Sequence, residues 1–304
     1  MNPKVLITGG SGLLALNWAL TIRDRCSVTL GLHERNISLA GIETRQIDLE
    51  SVDNLVRAFE TVQPQIVIHT AGLTNVEECE ARPSLAQHVN VELATNVAKA
   101  CAKLGLPLVH ISTDHLFSGE VPLVDEIQPT APKNVYGRTK AEAELRVLEV
   151  YAQALVIRTN FYGWGPHYRH SFSDWIVRML RSGSELPLFK DVFYTPTLIE
   201  TVALAVQDMV NLKASGIFNV VGDERLSKYQ FGLKLAEEFN LGSGLIKPAF
   251  LAERISLVQR PHDMSLSNLK TCKLLGRKLG GVSEHIARLH QQEKNGLARE
   301  IQKP

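Results

Sequence analysis

Tyr136-Gly-Arg-Thr-Lys140 sets a phenol and an ammonium four residues apart, 22 residues after Ser112-Thr113-Asp114. On a helix, that spacing puts both groups on one face, close enough to interact. A nearby cation favours the phenolate, so the pair predicts a Tyr136 brought from about 10 toward neutrality and used as an acid–base group. A hydroxyl at Thr113 would hold a carbonyl or its developing oxyanion while Tyr136 supplies the proton. Lys140 is the third member of this candidate catalytic set. Asp114 is read as orienting the substrate.

Thr8-Gly9-Gly10-Ser11-Gly12 follows the chain's first apolar strand. Glycines there let the backbone approach a pyrophosphate, and free N–H groups at the start of the next helix bind its charge. Gly9, Ser11, Gly12, Leu13 and Leu14 are the candidate contacts. Ala15 stands where a third glycine is usual. At 31–36 the chain reads Gly-Leu-His-Glu-Arg-Asn, with no acid in the first two places. A carboxylate there would bind a ribose 2′-hydroxyl, whereas His33 and Arg35 accommodate a 2′-phosphate, so NADP(H) is expected over NAD(H). Asp48 and Leu49 are placed at the adenine, with a helix cap as the other reading of Asp48. Ala71 and Gly72 are small enough for the backbone to pass the cofactor. Asn90 is read as a structural support and His69 as a packing residue.

The elements that must position these groups alternate. Strands are expected at 5–7, 27–32, 44–47, 65–69, 108–112 and 154–158. Helices are expected at 12–24 (amphipathic), 51–61, 84–104 and 137–150. That order predicts an α/β fold, a Rossmann-type doubly wound parallel sheet with ligands at the carboxyl ends of its strands. After about residue 160 the pattern changes to helices at 171–182, 197–212, 227–239 and 267–276, with a short strand at 216–220. We therefore expect a dinucleotide-binding domain over 1–160, joined by part of 190–220, and a smaller, partly interleaved substrate-binding region over 161–304.

The 304 residues are 44% hydrophobic and 21% charged, as in an ordinary soluble protein. A net charge of +1 offers no electrostatic case for nucleic acid or an anionic membrane. The four scattered cysteines suit a reducing compartment and argue against structural zinc, so no metal is expected. With no long apolar run, a cytoplasmic location is expected.

These motifs, with Ala71-Gly-Leu-Thr-Asn-Val-Glu-Glu-Cys-Glu80, Arg158-Thr-Asn160, Thr195-Pro-Thr197 and Arg260-Pro-His-Asp-Met264, run in order along nearly the whole chain. In them the chain resembles the extended short-chain dehydrogenase/reductases, and within these the dTDP-4-dehydrorhamnose reductase family. The resemblance implies hydride transfer from NAD(P)H to the C4 ketone of a nucleotide-linked deoxysugar. It implies that Lys140 binds the nicotinamide ribose and that Asn160 and Phe161 border nicotinamide and substrate. Thr74 and Asn75 would line the pocket, Thr195 would shape its far wall and Arg260 would clamp the diphosphate. The expected partners are a nucleotide sugar and, at most, a second copy of the chain. Epimerisation, with Asp114, His115 or Cys79 as extra acid–base groups, is one alternative. The other is a cofactor-binding subunit without turnover, since the fold also resembles the regulatory subunit of methionine adenosyltransferase.

Overall fold

The computed structural model describes residues 2–254 and 257–304. Its centre is a parallel sheet of β1 (Lys4–Thr8), β2 (Ser27–Leu32), β3 (Glu43–Gln46), β4 (Ile66–His69), β5 (Leu108–Ile111), β6 (Leu155–Arg158) and β11 (Gly216–Asn219). The order across the sheet is β11-β6-β5-β4-β1-β2-β3. Except for the exposed edge strand β3, these strands are near-continuous apolar runs because helices cover both faces. The order reverses between β1 and β4, and the carboxyl ends there open a crevice. The expected α/β class and doubly wound sheet are therefore those observed.

On one face, α2 (Val52–Val62), α5 (Leu93–Leu104) and α6 (Val135–Val150) enclose a core that includes Leu6, Val67, Leu108 and Val156. On the other, α1 (Leu13–Ile22) packs beside α8 (Ile199–Asn211), which leads directly into β11. The expected amphipathic character of the first helix is not found. Every residue of α1 except Thr21 is buried, because the C-terminal part of the chain covers the side that would otherwise face water. Asn17 is buried with them and donates to the carbonyls of Leu13 and Trp164, both at 2.8 Å.

The long helix expected at 84–104 is interrupted. A short helix α3 (Val76–Ala81) and α4 (Pro83–Gln87) precede a π-turn over His88–Glu92, and α5 follows. The wider turn brings Asn90 inward. Its side chain accepts from Leu73 N at 2.8 Å and donates to Leu73 O and Thr139 Oγ1, both at 3.0 Å. Asn90 thus supports the loop after β4 and ties it to α6, a structural role as expected.

Beyond β6 the chain builds three two-stranded pieces: β7 (Phe161–Tyr162) with β10 (Thr197–Leu198), β8 (Leu186–Phe189) with β13 (Ile246–Ala249), and β9 (Phe193–Tyr194) with β12 (Leu226–Ser227). Helices α7 (Phe172–Arg181) and α9 (Lys228–Glu238) pack against one another, with α11 (Val282–Lys294) on α9. Among the described residues no helix is long and apolar enough to cross a membrane.

A buried ion pair joins α6 to the sheet. Arg158 Nε and Nη2 donate to the two oxygens of Glu144, at 2.9 and 2.6 Å. Removing one partner of such a pair leaves an uncompensated buried charge. Arg158→Met should therefore lower stability by about 3–5 kcal/mol, read by urea unfolding. The double variant with Glu144→Leu should recover most of that loss.

Candidate active site

The crevice is a cleft of ≈ 480 Å³ at the strand ends. One end is the glycine turn. Gly9 has φ +73°, and a Cβ on it would stand 2.7 Å from Ala71 N, so the turn lies directly on the loop after β4. Gly12 begins α1 without a side-chain cap, which leaves the first N–H groups of a ten-residue helix unclaimed by side chains. Together these form a cradle for a pyrophosphate, and they fit the dinucleotide that the sequence implies. Ser11, Leu13, Leu14, Ala71 and Gly72 line the same cleft.

The other end holds the acid–base groups. Asn134 caps α6, its side chain accepting from Gly137 N at 2.9 Å and donating to Gln259 O at 2.9 Å. Tyr136 and Lys140 therefore enter the cleft from the first turns of a fixed helix. Thr113, Asp114, Thr74, Asn160 and Phe161 line it with them. Thr113 Oγ1 donates to Asp114 at 3.2 Å and accepts from His115 N at 3.3 Å. Asn160 donates to the other oxygen of Asp114. The His115 ring meets Tyr136 edge-on at 5.5 Å.

The electrostatics correct one expectation. Burial pushes the Tyr136 phenol up to about 12; the Thr113 hydroxyl pulls it down and the Asp114 carboxylate pushes it up. The cation that acts on it is Arg169, not Lys140. Lys140 instead donates to Ile111 O at 2.7 Å, and burial lowers it to about 8. The desolvation of a phenolate in this closed site outweighs its neighbours. Tyr136 is thus held protonated.

Arg169 was not among the sequence candidates. It lies on the segment 163–171, which crosses the cleft as a strap. There Tyr168 donates to Ser11 O at 2.8 Å, Arg169 donates to Thr74 Oγ1, and the Arg35 guanidinium lies 3.9 Å from the centre of the Tyr168 ring. The only signal in the sequence was a polar, aromatic-containing stretch, Pro166-His-Tyr-Arg-His170, within a loop.

Other candidates lie outside the cleft walls. His33 and Arg35 are exposed beyond β2. The oxygens of Asp48 accept from Glu50 N at 2.8 Å and Asn54 Nδ2 at 2.6 Å, while Ser51 caps α2, so Asp48 serves the start of that helix. Leu49 packs against the core beneath α2. Asn75 caps α3, accepting from Glu78 N at 3.0 Å. Thr195 is buried, accepting from Leu266 N at 3.2 Å. Arg260 pairs with Glu77 near the rim. Of the three alternative acid–base groups, Asp114 is engaged by Thr113 and Asn160. Cys79 bonds Leu73 O at 3.3 Å and burial raises it to about 11, while burial lowers His115 below the usual histidine range and makes it a weaker base. His69 is buried and shares a 2.8 Å hydrogen bond with Thr8; burial takes it down to about 3, so it packs as expected, although among the described residues its Nε2 has no partner.

A parallel Rossmann sheet with a glycine-rich turn at one end of its crevice and a Thr, Tyr-x-x-x-Lys set at the other defines a short-chain dehydrogenase/reductase fold. Within it, the chain belongs to the RmlD substrate binding domain family, whose model matches residues 3–295. It is 28% identical to the probable low-salt glycan biosynthesis reductase Agl14 of Haloferax volcanii, over 86% of this chain and 88% of that one. It is 30% identical to the methionine adenosyltransferase 2 subunit beta of Mus musculus, over 88% and 82%. In fold it is similar to the dTDP-4-dehydrorhamnose reductase of Bacillus anthracis in complex with NADP, with a TM-score of 0.85, 24% identity and coverage of 96% and 100%.

The helix that carries Tyr136 is seated without clearance. A Cβ on Gly137 would stand 2.3 Å from the His115 carbonyl oxygen. Gly137→Ala must move α6 away from Thr113, and misplacement of about 1 Å costs on the order of a hundredfold in rate. The expected result is a loss of turnover far larger than the loss of NADPH affinity, since the glycine turn stays in place while Lys140 shifts with α6, read by fluorescence titration beside the steady-state rate.

Proposed function

We propose that this chain reduces the C4 ketone of a nucleotide-linked 4-keto-6-deoxysugar, using NADPH in preference to NADH. The observation that carries this reading is the meeting of Thr113, Tyr136 and Lys140 in the cleft that begins at the glycine turn. Gly9, Ser11, Gly12 and the first N–H groups of α1 would hold the pyrophosphate, and Lys140 the nicotinamide ribose. The bound nicotinamide supplies a hydride. Arg35 favours the 2′-phosphate form, because its stacking on Tyr168 keeps a cation near the turn. The region after residue 160 takes the sugar nucleotide.

Every proton in this scheme belongs to a named side chain. Tyr136 is held protonated at neutral pH and is still far more acidic than a sugar alcohol, so its proton moves to the alkoxide that forms at C4. Thr113 carries one hydroxyl proton, given to Asp114 in this structure. Turning it to the substrate oxygen positions the ketone and stabilises the developing charge. Asp114 is held in place by Asn160 and keeps Thr113 aligned. With Cys79 held as a thiol, His115 made a weaker base by burial and Asp114 engaged by Thr113 and Asn160, the site favours a single reduction over epimerisation.

The likeness to the methionine adenosyltransferase subunit supports a second reading, a cofactor-binding subunit without turnover. NADPH oxidation with a panel of dTDP-, UDP- and GDP-4-keto-6-deoxysugars separates the two. The proposal expects oxidation with at least one sugar, whereas the second expects cofactor binding, none oxidised and a co-purifying enzyme. Tyr136→Phe should lower kcat by ~10²–10⁴-fold and leave NADPH affinity nearly unchanged. More than a tenth of the wild-type rate would remove Tyr136 from its role.

The pH profile has a definite sign. Lys140 is a cation below about 8 and loses its charge above that. The Michaelis constant for NADPH should therefore rise as pH passes through 8. Tyr136 stays protonated until about 12, so it contributes no fall in rate near neutrality. Lys140→Ala should weaken cofactor binding and rate together and abolish the step near pH 8.

A further inference from the structure

The segment 163–171 that crosses the cleft is a closed loop with a fixed root and a lightly held tip. At the root, Gly163 O accepts from the hydroxyls of Ser171 and Ser173, so the two limbs meet where α7 begins. A Cβ on Gly165 would stand 2.4 Å from Arg169 O, and Arg169 N donates to Pro166 O at 2.9 Å. The limbs are thus packed on one another and form one compact body. Trp164 on one limb and Phe172 just past the other belong to the apolar core, whereas no side chain of 167–170 does. On the outer side His167 donates to Gln302 O at 3.0 Å, and His170 shares a 2.9 Å hydrogen bond with Asp174.

The tip is held on the inner side by the two walls of the cleft. Tyr168 bonds Ser11 O on the glycine turn, and Arg169 bonds Thr74 on the loop after β4; Ser11 and Thr74 both line the cleft. A dinucleotide lying from the turn to Tyr136 and Lys140 passes between these walls, beneath both bonds. Tyr168 is only partly buried and Arg169 is exposed, so water competes for their bonds and the tip opens at small cost. Arg169 also brings a charge that the protein does not compensate. Among the described residues it pairs with no carboxylate, and its one side-chain partner is a neutral hydroxyl. Arg169 lines the cleft, and its field reaches the Tyr136 phenol. The cradle at the glycine turn meets a pyrophosphate from one side, and Arg169 faces the other.

We infer that the segment 163–171 is a lid over the bound dinucleotide, latched by Tyr168 on Ser11, and that Arg169 is the lid's contact to the pyrophosphate. The ligand rests on the dinucleotide site described above, which the reductase reading and the subunit reading share. Among the described residues only Nη2 of the Arg169 fork is engaged, so its remaining N–H groups are open to a pyrophosphate oxygen. Such charge-assisted bonds are about twice as strong as neutral ones, and the cofactor itself thereby draws the lid shut. Closure keeps water from the Tyr136 end of the cleft, and both entry and release wait for the latch.

The test is stopped-flow binding of NADPH, read by nicotinamide fluorescence, for wild type, Tyr168→Phe and Arg169→Gln, with calorimetric titration of dTDP into each NADP⁺-saturated protein. Tyr168→Phe keeps the ring that Arg35 stacks on and removes the latch. It should raise the association and dissociation rates alike, each about three- to tenfold, with the dissociation constant nearly unchanged. Arg169→Gln should raise the dissociation rate about ten- to a hundredfold, weaken NADPH and leave dTDP affinity as in wild type. Faster release without faster entry in Tyr168→Phe makes Tyr168 a plain contact and overturns the lid. A loss of dTDP affinity in Arg169→Gln without change in NADPH binding overturns the pyrophosphate contact and gives Arg169 to the sugar nucleotide. Wild-type binding of NADPH with rates that neither variant changes overturns the whole proposal and leaves the dinucleotide site standing. A wild type that binds no NADPH overturns both.

Discussion

The site depends on how closely α6 approaches the loop that follows β5. Gly137 allows the helix to back onto the His115 carbonyl with no room for even a methyl group. A glycine inside a helix costs roughly 1 kcal/mol relative to alanine, and here that cost fixes a distance. Because the first turn is seated there, Tyr136 stands at the Thr113 hydroxyl and Lys140 reaches back to Ile111 O. Asn134 extends the same constraint to the C-terminal part of the chain through Gln259, and Asn90 extends it to the loop after β4 through Thr139 and Leu73. The groups that would touch cofactor and substrate are thus set by backbone contacts rather than by their own side-chain bonds.

A second constraint is dryness. Thr8, His69, His110 and Arg158 stand on four neighbouring strands at the carboxyl end of the sheet, all buried. The rings of His69 and His110 stack at 5.6 Å, and burial lowers both well below the usual histidine range. The row is therefore neutral except where Glu144 compensates Arg158. In this setting Lys140 is brought close to neutrality and Tyr136 is driven away from it. A protonated phenol suits a reductase, which must give a proton rather than take one.

Much of this was legible in the sequence, because strands buried on both faces read as apolar runs and the glycine turn and Tyr-x-x-x-Lys pair have fixed relations to strand and helix. The segment Val76–Ala81 escaped because Glu77, Glu78 and Glu80 leave little apolar period in so short a helix. The π-turn at His88–Glu92 escaped because one extra residue leaves the apolar pattern nearly intact. The cap that Asn75 gives α3 was not legible because the residue types that bind ligands also cap helices, and for Asp48 the sequence left both uses open. The pKa of Tyr136 was read from its sequence neighbour, whereas burial, which decides it, comes from parts of the chain far away. Arg169 looks like a solvated charge in sequence. Only the folded chain shows that it spans the cleft.

The central claim is that a hydride reaches C4 of a nucleotide-linked sugar in this cleft. The direct measurement uses NADPH deuterated at nicotinamide C4, separately on each face, with dTDP-4-keto-6-deoxysugar and analysis of the product by mass spectrometry and proton NMR. The account predicts one deuterium, delivered from one face only and found only at C4 of the sugar. Deuterium at another carbon, or a product with none while the ketone is consumed, would contradict it.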